Sequence, residues 1–203
     1  MPLPQAVLDA CVIVRAAPRD MLLRCAEAEL YQPYWSGEIL AEVKRNVEAL
    51  ITRAHARKAL TGQAGMTSVG AQVDRLLAAV RGQFPTALIP DEIIGRYRPL
   101  ATNHPKDRHV LAVAIAVRAQ VIVTDNLKDF PQSALDPFGI QARSVDSFLS
   151  DLFALDPMTV YEQTRRRADE LRKPPETLDQ MLTSLARELP EFARCIRSFT
   201  PPP

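Results

Sequence analysis

Glycine is scarce in this sequence, and the few glycines are scattered. Only seven occur in 203 residues, and none forms the clustered pattern of a phosphate-binding loop or a dinucleotide-binding turn. The three cysteines, Cys11, Cys25 and Cys195, are odd in number, widely spaced and free of any metal-knuckle pattern. We therefore expect reduced, mostly buried thiols in a cytoplasmic protein.

Long hydrophobic runs and an excess of charge of one sign are also missing. No apolar run approaches the length of a membrane span, and the N-terminus lacks the basic-then-apolar layout of a signal peptide. The net charge of +1 excludes a generally basic nucleic-acid coat but allows a local basic rim around an acidic centre. A hydrophobic share of 47% and a charged share of 24% are typical of a globular protein. We expect no membrane association.

Short apolar segments alternate with amphipathic helical patterns over most of the chain. This alternation predicts an α/β fold with a parallel sheet for residues 1–150. After Asp156-Pro157 the composition shifts to an arginine-rich helical pattern, a breaker at Pro174-Pro175 and an amphipathic helix over residues 178–185. Residues 151–203 are therefore predicted to form a small, all-helical C-terminal extension.

The central stretch of the chain is a helix followed by a buried strand, and each carries a carboxylate at its end. Pro105 suits the first turn of the helix, and Asp107 lies in that turn. The run Val121-Ile122-Val123 is β-branched and apolar, as in a parallel strand covered on both faces. Asp125 follows at the carboxyl edge of the predicted sheet, the edge where α/β proteins bind ligands.

Further acids are expected at the same edge. Asp9 ends an earlier apolar strand, Glu42 flanks the apolar stripe of a helix that begins at Ser36, and Asp129 follows Asp125 by about one turn. Carboxylates crowded in this way repel one another unless a cation neutralises them, and Mg²⁺ prefers such oxygen ligands. A site of this kind activates water for attack on a phosphodiester. The pattern predicts a metal-dependent hydrolase.

Each residue taken alone also has an ordinary structural interpretation. Asp9 and Asp107 suit turns and helix starts, and Glu42 alone suits a solvated helix surface. His109 is expected to pack or to face solvent rather than to act as a base. The run Arg165-Arg166-Arg167 is most often a solvated helix face. The joint placement of the acids therefore carries the prediction.

Four motifs in order resemble those of PIN-domain ribonucleases, and specifically the VapC-type toxins of toxin–antitoxin pairs. The motifs are Val7-Leu8-Asp9-Ala10-Cys11-Val12, Trp35-Ser36-Gly37-Glu38-Ile39-Leu40-Ala41-Glu42-Val43, Lys106-Asp107-Arg108-His109-Val110-Leu111-Ala112 and Ile122-Val123-Thr124-Asp125-Asn126-Leu127-Lys128-Asp129-Phe130-Pro131. The resemblance covers residues 1 to about 150, and the helical tail resembles that of one subgroup. It implies a PIN-like three-layer fold, with a central parallel sheet flanked by helices.

The resemblance also implies roles for single residues. The implied catalytic residues are Asp9, Glu42, Asp107 and Asp125. The implied ligands of Mg²⁺ or Mn²⁺ are Asp9, Asp107, Asp125, Asn126 and Asp129. Many members of the family read threonine, any residue, aspartate in the fourth motif, which aligns Asn126 with the metal-binding position. Which of the three fourth-motif residues reaches the metal stays open at this point.

The expected partners are RNA and a protein. Arg15, Lys106, Arg108 and Lys128 lie near the acids in sequence and are candidate contacts to RNA phosphates. A cognate antitoxin, which would hold the enzyme inactive, and a homodimer are implied by the resemblance alone. Three alternatives stay open: a PIN nuclease of RNA processing or DNA without an antitoxin, an inactive PIN-like binding module, and an α/β domain whose acids only cap and turn.

Overall fold

A parallel sheet forms the centre of the computed structural model, which describes residues 3–59, 68–171 and 176–201. Its strands are β1 (Gln5–Leu8), β2 (Gln32–Ser36), β3 (Leu88–Ile89), β4 (Val121–Val123) and β5 (Gln141–Arg143). Over these residues they lie in the order β3-β2-β1-β4-β5, and each neighbouring pair is parallel. The predicted α/β architecture with a parallel sheet is confirmed.

Helices make the connections and cover the sheet. Those of the main body are α1 (Ala10–Val14), α2 (Ala16–Glu27), α3 (Gly37–Ala59), α4 (Val69–Gln83), α5 (Asp91–Tyr97), α6 (Arg108–Val117) and α7 (Gln132–Leu135). They are followed by α8 (Val145–Leu155), α9 (Pro157–Glu170), α10 (Leu178–Leu185) and α11 (Pro190–Ser198). A 3₁₀ turn at Pro105–Asp107 precedes α6, and another at Leu127–Asp129 follows β4.

The middle strands are buried because their side chains are apolar on both faces. Val7, Leu8, Ile122 and Val123 are each at most 1% exposed, as expected of strands with a layer of helices on each side. The register pairs Leu8 with Val123. The residues that follow these two strands therefore meet at the carboxyl edge of the sheet.

The C-terminal helices pack against the main body through an aromatic contact and an ion pair. Phe148 of α8 meets Tyr31 edge to face, with ring centroids 5.0 Å apart. The Asp146 carboxylate accepts hydrogen bonds from the N–H groups of Glu191 (3.1 Å) and Phe192 (2.8 Å), which caps α11. Arg167 of α9 pairs with Asp20 of α2 at 2.6 Å. The extension therefore shares contacts with the sheet-bearing part of the molecule.

Two features of the chain bear on the predicted organisation. The predicted boundary near residue 150 falls inside α8, which continues to Leu155. The predicted breaker Pro174-Pro175 lies outside the described residues.

Of the helices in the described ranges, none combines the length and the apolar composition needed to cross a lipid bilayer.

Candidate metal centre

Asp9 forms the floor of the candidate site. It is 3% exposed and is the N-cap of α1, with its Oδ1 accepting the Ala10 N–H at 2.6 Å. Its Oδ2 accepts the Thr124 hydroxyl at 2.7 Å and the Cys11 thiol at 3.2 Å. A carboxylate has about four lone-pair sites. Three donors hold Asp9 in place and leave it able to accept one further partner.

Thr124 links the first and fourth motifs. Its hydroxyl donates to Asp9 and accepts the backbone N–H of Asn126 at 3.0 Å, so the turn after β4 is tied to the floor. Burial, with a further contribution from the Asp9 charge, raises the pKa of the Cys11 thiol to about 12. Cys11 therefore stays a neutral donor to Asp9 and is no candidate nucleophile.

An open groove of about 610 Å³ lies at the carboxyl ends of the strands. Its walls come from the first turns of α3, the start of α6 and the turn after β4. The residues that line it are Glu38, Glu42, Arg45, Asn46, His104, Lys106, Asp107, His109, Asn126, Lys128 and Asp129. The groove therefore joins a set of acids to a rim of basic and amide side chains.

Asp107 and Asp129 come together with His104 in one wall. One ligand atom from each of these three residues lies within 4.8 Å of the other two, and His104 Nδ1 is 3.3 Å from Asp107 Oδ2. The Asp129 carbonyl accepts the His104 N–H (3.3 Å) and a side-chain N–H of Asn103 (3.4 Å). These bonds fasten the turn that carries Asp129 to the segment before Asp107. The donor set fits a divalent cation.

The charges of these acids interact. Burial raises the pKa of Glu42, and the charges of Asp9 and Asp107 raise it further, while His109 opposes the shift. Burial also raises the pKa of Asp107, followed by the charges of Asp9 and Asp129, while His104 opposes it. Like charges that raise one another's pKa favour a bound cation. Asp9, Glu42, Asp107 and Asp129 therefore form one electrostatic cluster.

Asp125 lies apart from this cluster. Its carboxylate forms an ion pair with Arg15, and its Oδ1 also accepts the Val145 N–H at 3.4 Å. Arg15 in turn reaches Glu188 of the C-terminal extension at 3.4 Å. The structure thus turns Asp125 towards the extension, whereas Asn126 and Asp129 line the groove.

The candidate RNA-binding cations also occupy different places. Lys106 and Lys128 are exposed and line the groove. Arg108 is exposed in an adjoining hollow, where its Nε donates to the Asn103 carbonyl at 3.4 Å. Arg15 is occupied by Asp125 and Glu188 in the described part of the chain. Two of the four cations therefore face the acids directly.

The sequence interpretation missed several groove residues. Glu38 and Arg45 lie four residues before and three residues after Glu42, so the three share one face of α3. That spacing was a usable signal. His104 was not among the expected metal ligands, and the burial of His109, which is 3% exposed, depends on α3 packing beside α6. No local pattern indicates that packing.

The raised pKa values predict how stability depends on pH in the presence of a chelator. The folded state holds the protons of Glu42 and Asp107 more tightly than the unfolded chain does. The resulting stability is present below the ordinary pKa values of 4.5 and 3.8 and is lost as the pH rises through the raised values. We expect Glu42→Gln to exceed the wild type in stability at neutral pH, with the difference closing near pH ~4.

Urea denaturation followed by Trp35 fluorescence measures this difference. Trp35 is the sole tryptophan and is fully buried. Glu162→Gln, on α9 and outside the groove, is the matched control and should show no such pH dependence. A Glu42→Gln advantage that is equal at both pH values would contradict electrostatic crowding at the site.

The fold agrees with comparisons to known families. The family model described as PIN domain matches residues 5–128, and the chain belongs to the PIN domain family. A second model, described as VapC50 C-terminal domain, matches residues 145–198. No solved structure matches the chain.

One relative among curated proteins is similar over part of the chain. The chain is 42% identical over 104 residues to the Mycobacterium tuberculosis protein named "Putative ribonuclease VapC50". The match covers 49% of this chain and 59% of the relative, so the chain spans less than two thirds of that relative's length.

Proposed function

We propose that this protein is a metal-dependent endoribonuclease and the toxin of a toxin–antitoxin pair, working in the cytoplasm. The observation that carries the proposal is the convergence of Glu42, Asp107 and Asp129 over the buried Asp9 in one open groove. The relative that is named a ribonuclease, and the match to the C-terminal model of the same subgroup, support the substrate class.

The donor set supports Mg²⁺ or Mn²⁺ as the cofactor. Carboxylate oxygens suit both ions, and Asp9, Asp107 and Asp129 would hold the cation, with the Asn126 side chain nearby in the groove. When bound, a divalent cation supplies water activation and charge stabilisation at a phosphodiester. Glu42 would accept a proton or a hydrogen bond from the attacking water.

The basic rim supports an extended polyanion as the substrate. Lys106, Lys128 and Arg45 line the same groove as the acids and would contact phosphates on either side of the scissile bond. The groove is open, so it would admit a single strand or a loop of RNA. Arg108 would extend this surface through the adjoining hollow.

The fourth motif contains two aspartates with different placements, which gives a test of the metal set. We expect Asp129→Asn to weaken Mn²⁺ binding by about tenfold or more, because it removes a charge that faces the groove. Asp125→Asn removes a carboxylate that is paired with Arg15, so the affinity should stay within about twofold. Isothermal titration calorimetry measures both variants. An equal loss in Asp125→Asn would instead assign Asp125 to the metal.

The partner side of the proposal rests on the family resemblance. An antitoxin segment would cover the groove and place a basic side chain among the acids. Growth arrest on expression, relieved by the product of a neighbouring small gene, would support this; an active nuclease without growth arrest would favour an RNA-processing enzyme. A homodimer is carried over from the family alone, and analytical ultracentrifugation tests it.

The central experiment is RNA cleavage by the purified protein with Mg²⁺, with Mn²⁺ and with a chelator. We expect cleavage with metal and none with chelator, mapped by sequencing of the product ends in a pool of single-stranded and looped RNAs. A matched DNA pool separates a ribonuclease from a deoxyribonuclease. A folded protein that binds RNA but cleaves nothing with either metal would make it a binding module.

A further inference from the structure

His109 is the buried polar side chain of the groove that the proposed chemistry does not yet use. It lies in the first turn of α6, is 3% exposed, and sits against α3. Its Nδ1 is 3.9 Å from Glu38 Oε1, and its Nε2 is 3.8 Å from Glu42 Oε2. The imidazole ring therefore spans two acids that are one helical turn apart.

One ring nitrogen has a fixed partner. His109 Nδ1 is 2.9 Å from the Lys106 carbonyl oxygen. Because a carbonyl oxygen only accepts hydrogen bonds, Nδ1 must carry a hydrogen and donate it. This bond also ties α6 to the 3₁₀ turn that ends at Asp107.

The other ring nitrogen has none. His109 Nε2 is buried and has no hydrogen-bond partner among the described residues. Buried polar atoms are rarely left without a partner. Glu42 is the candidate partner, because its side chain is 35% exposed and a rotation of its flexible stem would close the 3.8 Å separation to a hydrogen bond. Catalytic hydrogen bonds are often long before substrate binds.

We propose that His109 is a positioning residue that aims the Glu42 carboxyl group into the groove through an Nε2 to Oε2 hydrogen bond. The proton of that bond can reside on either atom, so the contact does not depend on one ionisation state. The Lys106 carbonyl holds the ring, and the ring holds Glu42 over Asp9 and Asp107. This proposal rests on the proposed nuclease function, in which Glu42 faces the attacking water.

The contact itself can be measured without any cleavage assay. Long-range ¹H–¹⁵N NMR spectra report hydrogen bonding at each ring nitrogen, and the protein has only three histidines, His55, His104 and His109. In Glu42→Ala we expect the Nε2 signal of His109 to move while its Nδ1 signal stays in place. An unmoved Nε2 signal would overturn the proposal, even if the protein proves to be no nuclease.

Two substitutions at His109 then separate positioning from structural support. Asparagine keeps a donor near Nδ1 for the Lys106 carbonyl but does not reach Glu42, whereas glutamine places an amide near Nε2. We expect His109→Asn to lower kcat by about tenfold or more with little change in KM for RNA, and His109→Gln to recover to within about threefold of wild type.

The opposite order would overturn the proposal. If His109 served only to hold the 3₁₀ turn, the asparagine variant would retain wild-type kcat and the glutamine variant would lose activity together with thermal stability. Thermal denaturation of both variants identifies any loss that comes from unfolding. If the wild-type protein itself cleaves no RNA, the nuclease proposal is contradicted. The NMR shift would still test the hydrogen bond between His109 and Glu42.

Discussion

Replacing Asp107 with asparagine is expected to abolish metal-dependent RNA cleavage, by at least about a hundredfold, without unfolding the protein. Asparagine has the same shape but no charge, and the Asp107 carboxylate is central to the acidic cluster because it couples to Asp9, Glu42 and Asp129. Its side chain accepts no capping hydrogen bond from the N–H groups of α6, so the helix start does not depend on its charge. Gel-based cleavage with Mg²⁺ or Mn²⁺ measures the effect.

The control for Asp107→Asn is the same substitution at another aspartate. Asp169 is exposed on α9 and outside the groove, so Asp169→Asn should cleave RNA as the wild type does. A urea midpoint of Asp107→Asn that is no lower than that of Asp169→Asn would show that the fold is intact. Wild-type cleavage by Asp107→Asn would remove this residue from the site.

Replacing Phe192 with alanine is expected to destabilise the whole protein by about 3–5 kcal/mol, which is a large part of the stability of a typical domain. Phe192 is fully buried in α11, and its backbone N–H is held by Asp146 of α8. Because Phe148 of α8 also packs against Tyr31, a cavity in the extension should destabilise the main body as well.

Trp35 makes this coupling measurable. The tryptophan lies in β2 and far along the chain from α11, so its fluorescence reports on the main body. We expect Phe192→Ala to lower the urea midpoint that Trp35 fluorescence reports. The control Arg194→Ala, whose side chain is 72% exposed on the same helix, should leave the free energy of unfolding within about 0.5 kcal/mol of wild type. An unchanged Trp35 midpoint with a separate loss of helix would show that the extension unfolds by itself.

Much of the fold could be predicted from the sequence because its signals are local. The apolar runs that became β1 and β4 are buried on both faces, and Ser36 accepts the Ile39 N–H at 3.1 Å at the start of α3, as a capping residue does. The boundary near residue 150 was placed by a change in composition. The helix α8 spans that boundary, and its Phe148 packs on Tyr31 of the main body, a contact that no local sequence pattern indicates.

The placement of the site was only partly predictable. Acids that follow parallel strands or open helices must come near one edge of a sheet, which is why Asp9 and Asp107 could be grouped from sequence. The direction of a side chain in a turn depends on distant partners. Asp125 pairs with Arg15, and Arg15 also pairs with Glu188, a residue of the extension. The Nε2 of His109 has no hydrogen-bond partner within the described ranges, and this too follows from the packing of two helices.

The pairing of β1 with β4 also sets when the groove can exist. Asp9 and Thr124, which touch in the folded protein, are 115 positions apart in the chain, and such long-range parallel pairings form late and slowly. During synthesis Asp9 and Glu42 leave the ribosome well before Asp107 and Asp129. Until β4 pairs with β1, the acids of the growing chain are separate side chains and form no groove. The topology therefore delays formation of the acidic cluster until the chain has been synthesised past Asp129.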